Sequence, residues 1–459
     1  MAVLRQEEAG WLLDHLSHIN NSYRCCHGPG GSGPSAGGYV FRPEYFSLLR
    51  PHILAGGGGE AAGEAGAEGE ASARRRRKRR CRELNTGEAE AREYHAGVRL
   101  AIESGARRLL AGESEARGPG LGLDLTAGPG STAGLGRTAS LGLASKPSPA
   151  PPGDPRLAEL CLMAARLPRG PGGGPQALGE TPAEELDLFG RVTENRSGCA
   201  RVARLLGQPY LLPPASRFLL SDLSRLEPLL LLLTTTTAAA AAAPEASGGR
   251  YGLITLDPPW ENRSVRRSGR YPSLAPADIK RLPVPALAAP GCLVATWVTN
   301  RQRHRRFVRE ELYPHWGLRA AAEWHWVKVT RAGDFVFPLD SPHKKPYETL
   351  VLGTYGPGPG LTPAPGSLPG LIPDHRLLVS VPCSLHSHKP PLGPVLELAG
   401  LVAPGAPKLE LFARSLQPGW TSWGNEVLKF QHLDYFLKAG TGQGCCPQAG
   451  TSPSPSPAH

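Results

Sequence analysis

The alternating apolar run Tyr251-Gly-Leu-Ile-Thr-Leu256 reads as a strand, and Asp257-Pro258-Pro259-Trp260 follows it at once. Proline lacks an N–H and fixes φ, so neither Pro258 nor Pro259 can extend a hydrogen-bonded ladder and the strand has to stop at the carboxylate. A strand-end carboxylate, stiff backbone and an indole make a rim suited to a planar amine. Asp257 accepts one N–H, the carbonyls of the turn point outward as further acceptors, and Trp260 offers a stacking face. Nucleobases are such amines. The exocyclic amine of adenine is a poor nucleophile because its lone pair is delocalised, so a methylating enzyme must hold it where that pair reaches an electrophile. The rival reading is an ordinary proline turn with a buried Trp.

From Tyr251 onward strand and helix patterns alternate. Strands are expected at 292–298, 322–330, 348–352, 376–381 and 408–412, with helices at 302–312 and 392–401. This is an α/β pattern, a mostly parallel sheet covered by helices, whose ligands sit at the carboxyl ends of the strands.

The first half is less regular. Gly10 to Tyr23 reads as a short amphipathic helix and Tyr39 to Phe46 as an apolar cluster, giving a small ordered segment over 1–54. Low-complexity sequence and the basic run Arg74–Arg80, a nuclear import signal or phosphate-binding arm, make 55–81 a linker. A mainly helical region spans 82–228, with Tyr94, Val98 and Ile102 at helical spacing, further helical pieces at 157–167 and 184–206, and a disordered Gly/Pro insertion near 118–155. The run of five Leu, four Thr and six Ala at 229–243 is too short for a membrane span of about 20 residues and reads as an insertion over 229–249. A catalytic domain over 250–436 and a disordered tail over 437–459 complete the division.

The net charge of +11 favours a polyanionic partner. Nine cysteines without a CxxC pair, and no secretory segment at the start, point to free thiols in a reducing compartment and away from zinc. Immediately beyond Trp260, Asn262, Arg263, Arg266, Arg267, Arg270 and Tyr271 interleave cations with polar and aromatic groups. Arg301 opens the next basic helix, and Lys344 and Lys345 extend the surface. Cations so close to a base-binding rim would hold phosphates; the alternative is a solvated loop.

Several motifs recur in one order: the strand-DPPW junction, Cys292-Leu-Val-Ala-Thr-Trp-Val-Thr-Asn300, Glu323-Trp-His-Trp-Val-Lys328, Ser387-His-Lys-Pro390, Glu410-Leu-Phe-Ala-Arg414 and Gly419-Trp-Thr-Ser-Trp-Gly-Asn-Glu426. Together they resemble the DPPW family of adenine-N(6) methyltransferases, which includes the messenger-RNA methylation enzyme. The resemblance implies a class I, Rossmann-like S-adenosyl-L-methionine methyltransferase fold with permuted motif order, beside a helical, partly disordered N-terminal region. It implies Asp257, Pro258, Pro259 and Trp260 as the catalytic tetrad, and Lys389 as partner of the cofactor's methionine carboxylate. Arg414 and Asn425 match ribose-contacting positions, and Glu426 stands at an adenine-binding position where the messenger-RNA enzyme has Gln. Asp222 and Leu223 fall near the family's other adenine-binding pair. No metal is implied. The expected substrate is RNA, namely the N(6) amine of 2′-O-methyladenosine in small nuclear RNA of the U2 type, in the nucleus, with the cytosol as an additional location. The alternatives are a DNA adenine methyltransferase and a catalytically silent RNA-binding partner.

Overall fold

The structure is a computed structural model that describes residues 3–27, 37–53, 86–115, 157–167, 174–180, 185–240, 249–261, 273–341, 344–356 and 372–439. Its centre is a 12-stranded sheet. In chain order the strands are β1 (Val3–Glu7), β2 (Gly10–Leu13), β3 (Gln176–Ala177), β4 (Thr193–Glu194), β5 (Arg217–Leu219), β6 (Tyr251–Leu256), β7 (Ala288–Val298), β8 (Leu318–Lys328), β9 (Tyr347–Tyr355), β10 (Leu377–Ser380), β11 (Lys408–Leu411) and β12 (Trp420–Trp423). Across the sheet they lie β1-β2-β10-β8-β9-β7-β6-β11-β12-β5-β4-β3. Strands β2, β5–β8 and β10–β12 share one direction, and β1, β3, β4 and β9 run against it. The α/β expectation holds, with a mixed, mostly parallel sheet.

Strand β6 lies centrally, parallel to both neighbours. Tyr251, Leu253, Ile254 and Leu256 are all buried, the near-continuous apolar run of a strand covered on both faces. Alternate side chains enter opposite cores. Ile254 and Leu256 pack with Val294, Leu409 and Leu411, while Leu253 joins Leu293, Ala295, Val395 and Leu396 on the other face.

The segment 10–23 differs from the expected helix. Gly10–Leu13 pairs in parallel with β10, and only His15–Asn21 (α1) is helical, with Asp14 accepting from Ser17 N–H at 2.9 Å. Trp11, Leu12 and Leu13 are buried on both sides, which one helical face does not allow. Gly10 has φ +144°, and a Cβ there would lie 2.0 Å from the Leu377 carbonyl oxygen.

The expected helix over 184–206 is also replaced, by β4 and a hairpin. Ala200–Leu205 pairs antiparallel with Gln208–Leu212 around Leu206 and Gly207, both at positive φ (48° and 80°). That is the two-residue turn a right-twisted hairpin favours. Helix α2 (Thr86–Glu115) does form, burying Val98, Ile102, Ala106 and Leu109 against Leu12, Val327, Leu377 and Val379. Leu157–Arg166 (α3) is helical as expected.

Glu227–Ala240 (α4) is a helix whose Leu229 and Leu232 enter the core over β6, so this low-complexity run begins as core rather than as insertion. Among the described residues no helix is long and apolar enough to cross a membrane. The apolar cluster at Tyr39 to Phe46 is present, with Phe41, Tyr45 and Phe46 packed on Tyr435 and Phe436. Leu437 and Lys438, expected in the tail, are ordered with Phe436 in a strand that pairs with Tyr39–Phe41. Cys25 and Cys199 form a disulfide, against the expectation of free thiols throughout, because Cys26 and His27 pair with Ala200 and Arg201 and bring the two together. The basic run 74–80, the stretch 118–155 and residues 440–459 lie outside the described residues.

Candidate active site

Parallel register fixes where the site can be. Leu219, Trp423, Leu411, Leu256 and Thr296 are aligned neighbours on β5, β12, β11, β6 and β7, so the residues after each strand emerge along one edge. Asp257 follows β6, Arg414 follows β11, and Asn425 and Glu426 follow β12. Lys389 lies in the segment after β10, and Glu348 starts the antiparallel β9 at the same edge, opposite Trp326 of β8. Asp257, Lys389 and Arg414 line an open cleft together with Trp297, Glu410 and Phe412 among others.

The edge carries a chain of alternating charges. Lys328 contacts Glu348, which contacts Lys389. Lys389 Nζ is 3.5 Å from Asp257 Oδ1, and Arg414 Nη1 is 2.6 Å from Asp257 Oδ2. Arg414 Nε is 3.2 Å from Glu426, which meets Lys429 at 3.2 Å. Burial alone would raise the Glu348 carboxyl, but Lys328 and Lys389 hold it below the usual carboxylate range. Burial would lower Lys389, and Asp257 and Glu348 outweigh it, keeping the ammonium charged. Glu410 lacks such a cation: burial, with Asp257 adding to it, raises its carboxyl to about 7 against the opposing Gln417 and Arg414. Asp257 is thus salt-linked and still lines the cleft.

Two cleft residues hold a left-handed backbone without being glycine, Ser387 (φ 66°) and Phe412 (φ 61°). Each costs on the order of 1–3 kcal/mol. They stand two residues before Lys389 and Arg414, where the chain turns to direct both cations at Asp257.

Trp260 departs from the expected stacking platform. Its indole is 7% exposed, donates to Trp297 O at 2.8 Å, and stacks on His304 with ring centroids 4.9 Å apart and planes at 18°. The turn carbonyls are engaged as well: Pro258 O accepts from Trp260 N–H and Pro259 O from Leu274 N–H. Here the buried-Trp alternative describes the geometry, and the tetrad holds Asp257 through rigidity rather than through an open ring face. Arg303 Nε donates to His304 Nε2 at 3.2 Å, so Nδ1 carries the proton towards Thr299 Oγ1 at 2.6 Å. Arg303 also binds Glu261, the residue after the tetrad.

Of the other expected residues, Asp222 is exposed and caps the turn at Ser224, and Leu223 packs on the core. Both follow β5 beside half-buried Asn425, and Trp423 Nε1 bonds Ser221 Oγ across the two strand ends. Arg301 leads into Gln302–Arg306 (α5). Lys344 is exposed over the Phe337 ring. Lys345 turns inward to the Leu339 carbonyl at 2.9 Å, away from the role given it at a phosphate surface. Asn262, Arg263, Arg266, Arg267, Arg270 and Tyr271 lie outside the described residues. Glu348 and Glu410 were not singled out, and His304, expected among the phosphate-holding cations of the basic helix, is instead buried against Trp260. The signal for Glu410 was its place one residue before the end of β11, in register with Thr255; Glu348 and His304 needed the sheet order.

The MT-A70 family profile matches residues 251–426, which span β6, the cleft and the strand-end cations. Over 503 aligned residues the chain is 42% identical to the human N(6)-adenine-specific methyltransferase METTL4, covering 96% of this chain and 100% of that protein. The chain belongs to the MT-A70 family. It is an adenine-N(6) methyltransferase acting on nucleic acid. Two more distant relatives are the N6-methyladenosine RNA methyltransferase MTA1 of Cryphonectria parasitica, 36% identical over 41% of this chain and 55% of that protein, and the DNA N6-methyl methyltransferase of Caenorhabditis elegans, 31% identical over 50% and 57%.

Proposed function

We propose that this MT-A70 enzyme transfers a methyl group from S-adenosyl-L-methionine to N(6) of adenosine in RNA, with 2′-O-methyladenosine of small nuclear RNA as its target. The observation that carries this reading is Asp257, lining the cleft at the end of β6 between Lys389 and Arg414.

The cleft's donor set fits the cofactor, with a buried cation for a carboxylate, carboxyl groups for sugar hydroxyls and aromatic side chains beside them. Lys389 would hold the methionine carboxylate, Asn425 and Arg414 the ribose, and Asp222 and Leu223 the adenine edge. When bound, the cofactor supplies an electrophilic methyl group. The protein's part is to hold the acceptor amine. Oδ1 of Asp257, whose cation stands at 3.5 Å rather than 2.6 Å, is the oxygen with room for an amine N–H and for the proton that the methylated amine sheds. Pro258, Pro259 and Trp260 fix that carboxylate's direction, so little reorganisation remains at transfer. The class I fold with permuted motif order is supported by β6 and Asp257 preceding Lys389, Arg414 and Asn425 in the chain.

Asn262, Arg263, Arg266, Arg267, Arg270 and Tyr271, with Arg301 and Lys344, would hold the RNA backbone. The RNA methyltransferase activity of the MTA1 relative supports this choice of substrate, and the basic run 74–80 supports a nuclear site of action. Turnover measured side by side on matched RNA, 2′-O-methyl RNA and DNA oligonucleotides tests the reading. Preference for 2′-O-methyl RNA is expected. Preference for DNA would replace the substrate, and no turnover on any of the three would leave the silent RNA-binding partner.

A further inference from the structure

Glu426 stands at the far end of the charge chain from Lys328, its side chain 14% exposed. Its carboxylate is 3.2 Å from Arg414 Nε, while Arg414 Nη1 reaches Asp257 at 2.6 Å. A guanidinium is a rigid planar fork, so holding Nε sets where Nη1 points. The Arg414 backbone is fixed separately, by Phe430 N–H donating to its carbonyl at 3.0 Å and by the close approach of Gly424, where a Cβ would lie 2.8 Å from Ala413 O. The contact of Glu426 with Nε restricts rotation of the side chain. Lys429 meets the same carboxylate, so its charge is already balanced by two cations.

We propose that Glu426 is a positioning residue that acts through Arg414 on Asp257, not a ligand of the nucleoside. This rests on Asp257 being the acceptor of the target amine. Without Glu426 the Arg414 fork loses the contact at Nε that sets its plane, and Nη1 shifts from Oδ2. The Asp257 carboxylate then rotates towards Lys389, whose Nζ closes on Oδ1, the oxygen left for the substrate. The loss falls on the transfer step rather than on cofactor affinity.

The experiment compares wild type with Glu426→Gln, Arg414→Lys and the double variant in full-length protein. It reads kcat, and the binding of S-adenosylhomocysteine and of its analogue with hypoxanthine in place of adenine. Expected for Glu426→Gln are a drop in kcat of about 10-fold or more, affinity for S-adenosylhomocysteine within about 3-fold of wild type, and an unchanged preference between the two probes. In the Arg414→Lys background the Gln substitution should add little, because neighbours acting as one unit are not additive. Wild-type kcat in Glu426→Gln, an altered preference between the probes, or independent multiplication of the two losses would each overturn the proposal. Should Glu426→Gln fail to fold, Glu426→Asp keeps the charge but withdraws it from Arg414, and the same readings decide. A wild-type enzyme that methylates nothing would remove the role of Asp257 itself, a different failure.

Discussion

Arg414 Nη1 lies 2.6 Å from Asp257 Oδ2, joining the strand-end carboxylate of β6 to the segment after the neighbouring β11. The side chains are 9% and 13% exposed, so this pair is largely withdrawn from water. It therefore contributes to stability as well as to the proposed chemistry, and the two should separate by substitution.

Asp257→Ala leaves Arg414 and Lys389 without their shared anion. Removing one partner of a buried pair costs about 3–5 kcal/mol, and the partial exposure here places the expected loss near the lower figure. Asp257→Asn keeps the shape and one acceptor but also removes the anion, so it should be less destabilised than Asp257→Ala while losing about 100-fold or more in turnover. Denaturant melts of both variants beside methylation assays separate the effects. Wild-type turnover in Asp257→Asn would refute the assigned role.

His304 should matter without touching substrate. His304→Ala removes the stacked partner of Trp260, worth about 1 kcal/mol, and frees the root of the tetrad. A loss of about 10-fold in kcat is expected, with cofactor affinity retained. His304→Phe keeps a stacked ring but loses the bonds to Thr299 and Arg303, so it should fall between Ala and wild type. Equal activity in all three would show that the indole needs no support.

How much of this the sequence disclosed depends on range. Whereas Lys389, Arg414 and Asn425 were implied by the family resemblance of the motifs that hold them, the place of Asp257 was legible because it follows a strand whose apolar pattern is strong and local. The alternation of strands and helices after Tyr251 was legible for the same reason. What was missed depends on partners distant in sequence. Whether Trp260 faces a ligand or a histidine is decided by α5, and Gly10–Leu13 is a strand because β10 offers an edge more than 360 residues later. The hairpin at 200–212 was missed at a turn, where Leu206-Gly207 outweighs a helical-looking composition.

Gly10 gives that edge pairing a sharp test. A Cβ at position 10 would meet three backbone atoms of Leu377 at 2.0–2.8 Å, which nothing flexible can relieve. Gly10→Ala should detach β2 from β10 and expose the buried Trp11, seen as faster amide exchange across residues 10–13 and 377–380 and as a red-shifted tryptophan emission. Unchanged protection in those segments would contradict the pairing.

The Glu410 carboxyl, raised from 4.5 to about 7 by burial and by Asp257, predicts a pH dependence whose sign is fixed. Between those values the folded chain keeps a proton that the unfolded chain has lost. The stability this group contributes is complete below about pH 4.5 and is lost as pH rises through about 7. Relative to Glu410→Gln, wild type should therefore lose unfolding free energy between pH 5 and 7 and run parallel to it above 8. Ligand affinity should move the other way. The ionised carboxylate is the stronger acceptor for sugar hydroxyls, so S-adenosylhomocysteine should bind wild type more tightly as pH rises through 7, while Glu410→Gln shows no such step. An identical step in Glu410→Gln would assign it to another group.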